Sequence, residues 1–194
     1  MPSLPKNWPA GLPYLTAPAH SKLLSESQRQ VLARKPTDLP DIATQATVLP
    51  CPLVRITPIT DDEHPAKGQS GLFAARQLKP GTFILPYLGT VHPDAPSESD
   101  YDLWLDREAE IAVDADGCGN EARFVNDYRG IAEKPNAEFR EVWCQRFQQR
   151  CMAVFVKPEG KNERGKGGIS KGEEILISYG KGFWGSRRPG CDDT

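Results

Sequence analysis

Gly119-Asn120-Glu121-Ala122-Arg123-Phe124-Val125-Asn126, read together with Gly172-Glu173-Glu174-Ile175-Leu176-Ile177-Ser178-Tyr179-Gly180 further along, decides how this chain is read. Each run by itself is an ordinary string of mixed polarity. An asparagine amide offers donors and an acceptor at once. A tyrosine that ends a strand is most often plain packing. The two side chains gain meaning only from the order and the flanks in which they stand.

Around these runs lie 194 residues, enough for one domain with a real core and a short extension. The formal charge of −2 implies no strong pull on nucleic acid. Acidic residues gather at Asp61, Asp62 and Glu63, and again at Glu98, Asp100, Asp102, Asp106, Glu108 and Glu110. This reads either as solvated surface or as a face that draws a basic peptide. The five cysteines are widely and irregularly spaced, with no zinc pattern among them, which points to reduced, partly buried thiols rather than a disulfide frame. No apolar stretch is of membrane-crossing length, and Met1-Pro2-Ser3-Leu4-Pro5 lacks the blocks of a secretory signal. A soluble, intracellular protein with no membrane partner is expected; nothing in the chain sets an oligomeric state.

Residues 1–50 are proline-rich and read as an arm, packed on the domain or partly disordered. Its one helix is announced by Ser25-Glu26-Ser27-Gln28, a capping box ahead of Val31 and Leu32, with Pro36 and Pro40 to stop it. From Leu53 the pattern turns to short strands broken by glycine and proline. These are Leu53–Ile56, Gly71–Ala75, Thr82–Leu88 after the turn Lys79-Pro80-Gly81, Ile111–Asp114, Cys151–Val156 and Ile175–Tyr179. Asp100–Leu105 fits a strand or a helical turn equally, and Lys157–Gly168 reads as a surface loop. No internal repeat is present. The fold class is mostly β (α+β), with small sheets and few short helices.

Residues 51–185 resemble the SET domain, the fold of protein lysine methyltransferases, leaving 186–194 as a tail. The resemblance implies several small curved sheets with a C-terminal pseudoknot. It also implies S-adenosyl-L-methionine as cofactor. Lys67-Gly68-Gln69-Ser70-Gly71-Leu72 is similar to the family's glycine loop, so Lys67, Gly68, Ser70, Gly71 and Leu72 are expected at the cofactor's amino-acid end. Glycine there lets backbone N–H groups approach a carboxylate. A plain glycine-rich hairpin has the same letters, and two residues separate Gly68 from Gly71 where a gap of one is common.

Gly119–Asn126 is the strongest match. It implies cofactor contacts from Arg123, Phe124 and Asn126, in a segment that threads beneath a loop near the C-terminus. Asp127 stands where the family usually has histidine. Contacts there are largely made by backbone, so Asp127 is kept as a cofactor-binding position that brings a new charge to the site. Pro135-Asn136 resembles the next family pair. Tyr179 falls at the catalytic tyrosine, and Tyr101 at a tyrosine that lines the lysine channel. Phe183 and Trp184 are expected to close the channel and the cofactor pocket, either instead of or besides capping the core. Ile177 falls where many relatives gauge how many methyls fit, and isoleucine there favours more than one. The family's zinc-binding cysteine clusters are absent, so no metal is expected.

The implied activity is methyl transfer to a protein lysine, with a basic peptide or protein as substrate and a histone tail as the analogy's first choice. That implies a nuclear location, with the cytoplasm as a second compartment, and no direct nucleic-acid partner. A SET-like binding protein without turnover and a methyltransferase of a non-histone protein are the competing readings.

Overall fold

Apolar runs this short, cut by glycine and proline, favour many short strands over helices. The computed structural model, which describes residues 4–93, 99–158 and 167–179, is built that way. In chain order its strands are β1 (Ala19–His20), β2 (Asp41–Ile42), β3 (Val54–Pro58), β4 (Ser70–Ala74), β5 (Phe83–Pro86), β6 (Thr90–Pro93), β7 (Asp102–Asp106), β8 (Ile111–Asp114), β9 (Asn126–Asp127), β10 (Ala137–Cys144), β11 (Gln149–Val156) and β12 (Leu176–Ile177). Among the described residues the one α-helix is α1 (Glu26–Ala33).

Two four-stranded sheets hold most of the strand residues, in the orders β1-β6-β8-β7 and β2-β10-β11-β5. Two two-stranded pieces, β3-β4 and β9-β12, complete the set. The apolar faces of these sheets meet in a core that includes Leu72, Ile84, Leu85, Ile111, Val154, Ile175 and Ile177. Burial of this kind stabilises by roughly 25 cal/mol per Å² of apolar surface.

α1 begins where its capping box stands. Ser25 accepts from the Gln28 N–H, and the Gln28 side chain takes the Ser25 N–H in return. The Gln28 amide also donates to the carbonyls of Ala109 and Glu110, which ties the helix to the β7–β8 turn. The helix closes at Ala33, short of Pro36.

The arm packs on the domain. Its Leu15 N–H donates to the Gly119 carbonyl and the Gly119 N–H to that of Pro13, so Tyr14 pairs with the first residue of the decisive run. The Asn7 amide reaches the Ile56 carbonyl, and Trp8 stands edge-on to Tyr14 and Phe124.

Where the pattern left Asp100–Leu105 open, the chain forms strand β7. Ile175–Tyr179 is a strand only over Leu176–Ile177: the Ile175 N–H goes to Leu72 of β4 and the Tyr179 N–H to the Asp127 side chain, so neither extends the pairing with β9. The eight-residue β10 had no sequence expectation: its charged and apolar residues alternate weakly, and pairing along its whole length with β11 makes it a strand. Most of Lys157–Gly168 lies outside the described residues. The four described cysteines are free thiols, with Cys51, Cys144 and Cys151 buried. Among the described residues no helix is long and apolar enough to cross a membrane, and no cluster of His, Cys, Asp or Glu is arranged to hold a metal ion.

Candidate active site

Most of the run Gly119–Asn126 holds the molecule together. Fully buried Asn120 donates to the Pro86 carbonyl and accepts the Leu88 N–H, pinning the end of β5. Buried Glu121 accepts from the Cys51 N–H and the Tyr14 hydroxyl, one oxygen each. Ala122, Phe124 and Val125 enter the core. A carboxylate taken out of water needs such partners. Burial, with the Glu121 charge beside it, pushes the Tyr14 phenol far above its ordinary value.

After this anchored turn, Asn126 and Asp127 run parallel to Leu176 and Ile177, and the Tyr128 N–H donates to the Ile177 carbonyl. This is the convergence the pseudoknot requires. Across it, the Asp127 carboxylate accepts the Tyr179 N–H at 2.7 Å and the Arg129 N–H at 2.9 Å, and pairs with the Arg129 guanidinium at 2.8 Å. The expected new charge at the site is therefore matched by Arg129 and spent on holding the Tyr179 backbone.

Tyr179 in turn donates its hydroxyl to the Val125 carbonyl at 2.8 Å. Burial, reinforced by Tyr101, Asp127 and Glu174, raises its phenol well above the usual tyrosine range, so the group keeps its proton at any working pH.

Two cavities flank this tyrosine. One, of about 500 Å³, is bordered by Pro65, Ala66, Gln69 and Ser70 from the loop before β4 and its first residue. Arg123, Phe124, Asn126, Asp127, Arg129 and Ile131 close its other side. The second, of about 580 Å³, is walled by Tyr87, Leu103, Trp104 and Phe139, with Asp102, Arg107 and Ser178 as its polar members. Asp100, Tyr101, Arg123 and Tyr179 border both. The Arg123 guanidinium lies 4.2 Å from the centre of the Tyr101 ring and donates to the Ala115 carbonyl. Buried Tyr87 donates to the Tyr101 carbonyl at 2.6 Å and stands edge-on to Phe139, fixing the second wall. Asp102 pairs with His92 at 3.0 Å.

Of the expected site residues, Ser70, Tyr101, Arg123, Phe124, Asn126, Asp127 and Tyr179 meet around these cavities. Five do not. Lys67 points outward to Asp62, and Gly68 serves a turn at φ 83° whose N–H donates to the Ile59 carbonyl. Gly71 and Leu72 lie inside β4, with Leu72 wholly buried. The cavity is reached from this segment by Pro65, Ala66, Gln69 and Ser70. Ile177 is buried in the core and borders neither cavity. Phe183 and Trp184 lie outside the described residues.

Sequence reasoning missed Tyr87, Trp104, Phe139 and above all Glu174. Glu174 accepts from Asn126 at 2.8 Å and contacts His64 at 2.9 Å while 8% exposed. Two adjacent glutamates carry no sign of which one is buried.

The chain belongs to the SET-domain family: the family model matches residues 69–180, more than half of its length. No curated protein matches it. Among solved structures it is similar to chains of the Chaetomium thermophilum polycomb repressive complex 2. The complex bound to GSK126 gives a TM-score of 0.50 at 20% identity over 71% of this chain and 17% of that one. A crystal structure of the complex gives 0.49 at 21% over 66% and 15%. The autoinhibited form bound to S-adenosylmethionine gives 0.48 at 21% over 64% and 15%. At 20% identity the likeness to the GSK126-bound complex is one of fold alone, and this chain spans less than a fifth of the length of those chains.

Proposed function

We propose that the protein is an S-adenosyl-L-methionine-dependent protein lysine N-methyltransferase whose substrate is a basic segment, with a histone tail, and hence the nucleus, as the first setting to test. One observation carries the reading: two cavities share Asp100, Tyr101, Arg123 and Tyr179 in their walls. A cofactor and a lysine entering from opposite sides would meet there.

The first cavity suits the cofactor in size, being within the roughly 300–1,000 Å³ common for small-molecule sites. Asn126 gives an amide N–H to Glu174, and its amide oxygen can accept from a ligand ammonium. When bound, the cofactor supplies a methyl group on a positive sulfonium. The chain's own part is to align and to dehydrate. Neutralising a free lysine near pH 7–8 costs about 3–5 kcal/mol. The apolar walls formed by Tyr87, Leu103, Trp104 and Phe139 and the nearby Arg123 charge penalise the ammonium form, while Asp100 and Asp102 oppose them. No base is required of Tyr179, whose raised phenol stays protonated and donates to the Val125 carbonyl; the lysine proton passes to water before the transfer. Alignment of the two reactants is the larger effect, worth up to about 7–11 kcal/mol in well-oriented systems. Asp100 and Asp102 at the second cavity favour a basic segment over an acidic one.

Calorimetry with S-adenosyl-L-methionine comes first, followed by transfer of radiolabelled methyl to core histones by the wild type and Tyr179→Phe. Binding together with a large loss of incorporation in the variant is expected. Equal incorporation by both removes Tyr179 from the chemistry. No binding at millimolar cofactor leaves a SET-like binding protein without turnover, and binding without incorporation turns the search to non-histone proteins.

A further inference from the structure

One buried carboxylate joins the two sides of the first cavity. Glu174 Oε1 accepts from Asn126 Nδ2 at 2.8 Å, and its Oε2 lies 2.9 Å from His64 Nε2. His64 is itself oriented, because the Ala66 N–H donates to its Nδ1 at 3.0 Å. A ring nitrogen that accepts carries no proton, so the proton sits on Nε2 and is donated to Glu174. Pro65 and Ala66, which follow His64 directly, border the cavity from one side, and Asn126 borders it from the other. Both sides therefore hang on the same side chain.

The backbone under that carboxylate is pinned as well. The Asn136 amide donates to the Glu174 carbonyl at 2.8 Å, and the next N–H, of Ile175, donates to the Leu72 carbonyl at 2.7 Å. Room for the carboxylate comes from Gly71, where a Cβ would stand 2.4 Å from Glu174 Oε1. The glycine of the first motif is thus needed for the space it leaves to Glu174.

We infer that Glu174 and His64 are positioning residues for the cofactor: through Asn126 and the His64–Ala66 turn they set the orientation of the amide that receives the cofactor's ammonium group. This rests on the methyltransferase reading for the ligand, and on this structure alone for the coupling. With one Nδ2 N–H held by a carboxylate, the Asn126 amide is fixed in rotation, and its oxygen is the atom able to accept from an ammonium group. Glutamine at 174 would break this, because it has one acceptor and one donor to offer where two donors point in.

The coupling is read first in the protein without cofactor, from the side-chain amide resonances of Asn126 in ¹⁵N spectra. His64→Ala is expected to shift them and to speed their exchange, and His64→Gln, whose amide reaches the same carboxylate, to restore them. Calorimetry then reads the consequence. Glu174→Gln and His64→Ala each raise the Kd for S-adenosyl-L-methionine about tenfold, His64→Gln stays within about twofold of wild type, and the KM for the peptide is unchanged. In an Asn126→Ala background the Glu174→Gln effect should vanish. Asn126 resonances that ignore His64→Ala, or effects on Kd that simply add, overturn the inference. Should Glu174→Gln fail to fold, the two His64 variants carry the test. If the wild type binds no cofactor while the resonances respond as described, the coupling stands and the methyltransferase reading falls.

Discussion

Tyr179 is held at both ends: its N–H by Asp127 and its hydroxyl by the Val125 carbonyl. Removing the hydroxyl in Tyr179→Phe leaves that carbonyl without this donor, which costs about 1 kcal/mol, so a thermal melt should move only a few degrees. Methyl transfer should fall about 10²-fold, the scale on which small misplacements act in aligned reactions. The phenol is raised far above its ordinary value by burial first, so the rate should show no ionisation of Tyr179 between pH 7 and pH 10. A rate limb that disappears in Tyr179→Phe would give that residue a base's role instead. At this scale Asn126 and Tyr179 were legible, because the runs that carry them stand in the family's order. Glu174 and His64 were not. One is a glutamate among many and the other one of three histidines, and only burial separates them from their exposed counterparts.

At the scale of elements, β4 and the arm both press on the site from outside it. Gly71→Ala in β4 drives a methyl group into the Glu174 carboxylate and the Phe73 ring. Overpacking of this kind costs about 1–3 kcal/mol, and calorimetry should show weaker cofactor binding alongside the lower melting temperature. The arm acts through Trp8, whose ring meets Phe124 edge-on at 5.7 Å while Phe124 borders the first cavity. Trp8 is only partly buried, so Trp8→Ala should cost about 2 kcal/mol, below the range for a fully buried aromatic. A raised Kd for the cofactor is expected with it. An unchanged Kd would make the arm a stabiliser of the fold alone. The helix of the arm was legible from its capping box, which is a local device. The strands β1, β2 and β10 were not, because two-residue pairings and a charged strand take their form from the partner they meet.

For the molecule as a whole, pH acts through groups spread over the fold. His92 is pulled down by burial, but the Asp102 hydrogen bond, the Pro93 carbonyl and the charges of Asp102 and Asp114 outweigh this and raise its pKa above 6.5. A raised folded pKa gives stability that is complete below the unfolded value and is lost as pH climbs through the folded one. Melting temperature should therefore decline slightly as pH rises from about 6.5, and His92→Gln should flatten that slope. Tyr14, Tyr87 and Tyr179 are raised in the same sense by burial, so a second and steeper loss is expected once pH passes about 10. A curve flat to pH 11 would show that these phenols ionise freely.

The sequence by itself determined the family, the small-sheet β class and the helix start at Ser25, and it singled out Asn126 and Tyr179, which border one cavity. Those rest on local chemistry or on motif order, and both are written along the chain. Only the tertiary structure decided that Lys67, Gly68, Gly71, Leu72 and Ile177 stand away from the cavities, and that Asp127 is spent on Arg129 and the Tyr179 backbone. It also decided that Glu174 joins one wall to the other. Burial and partnership across distant segments belong to no residue alone, so they exist only once the chain has closed on itself.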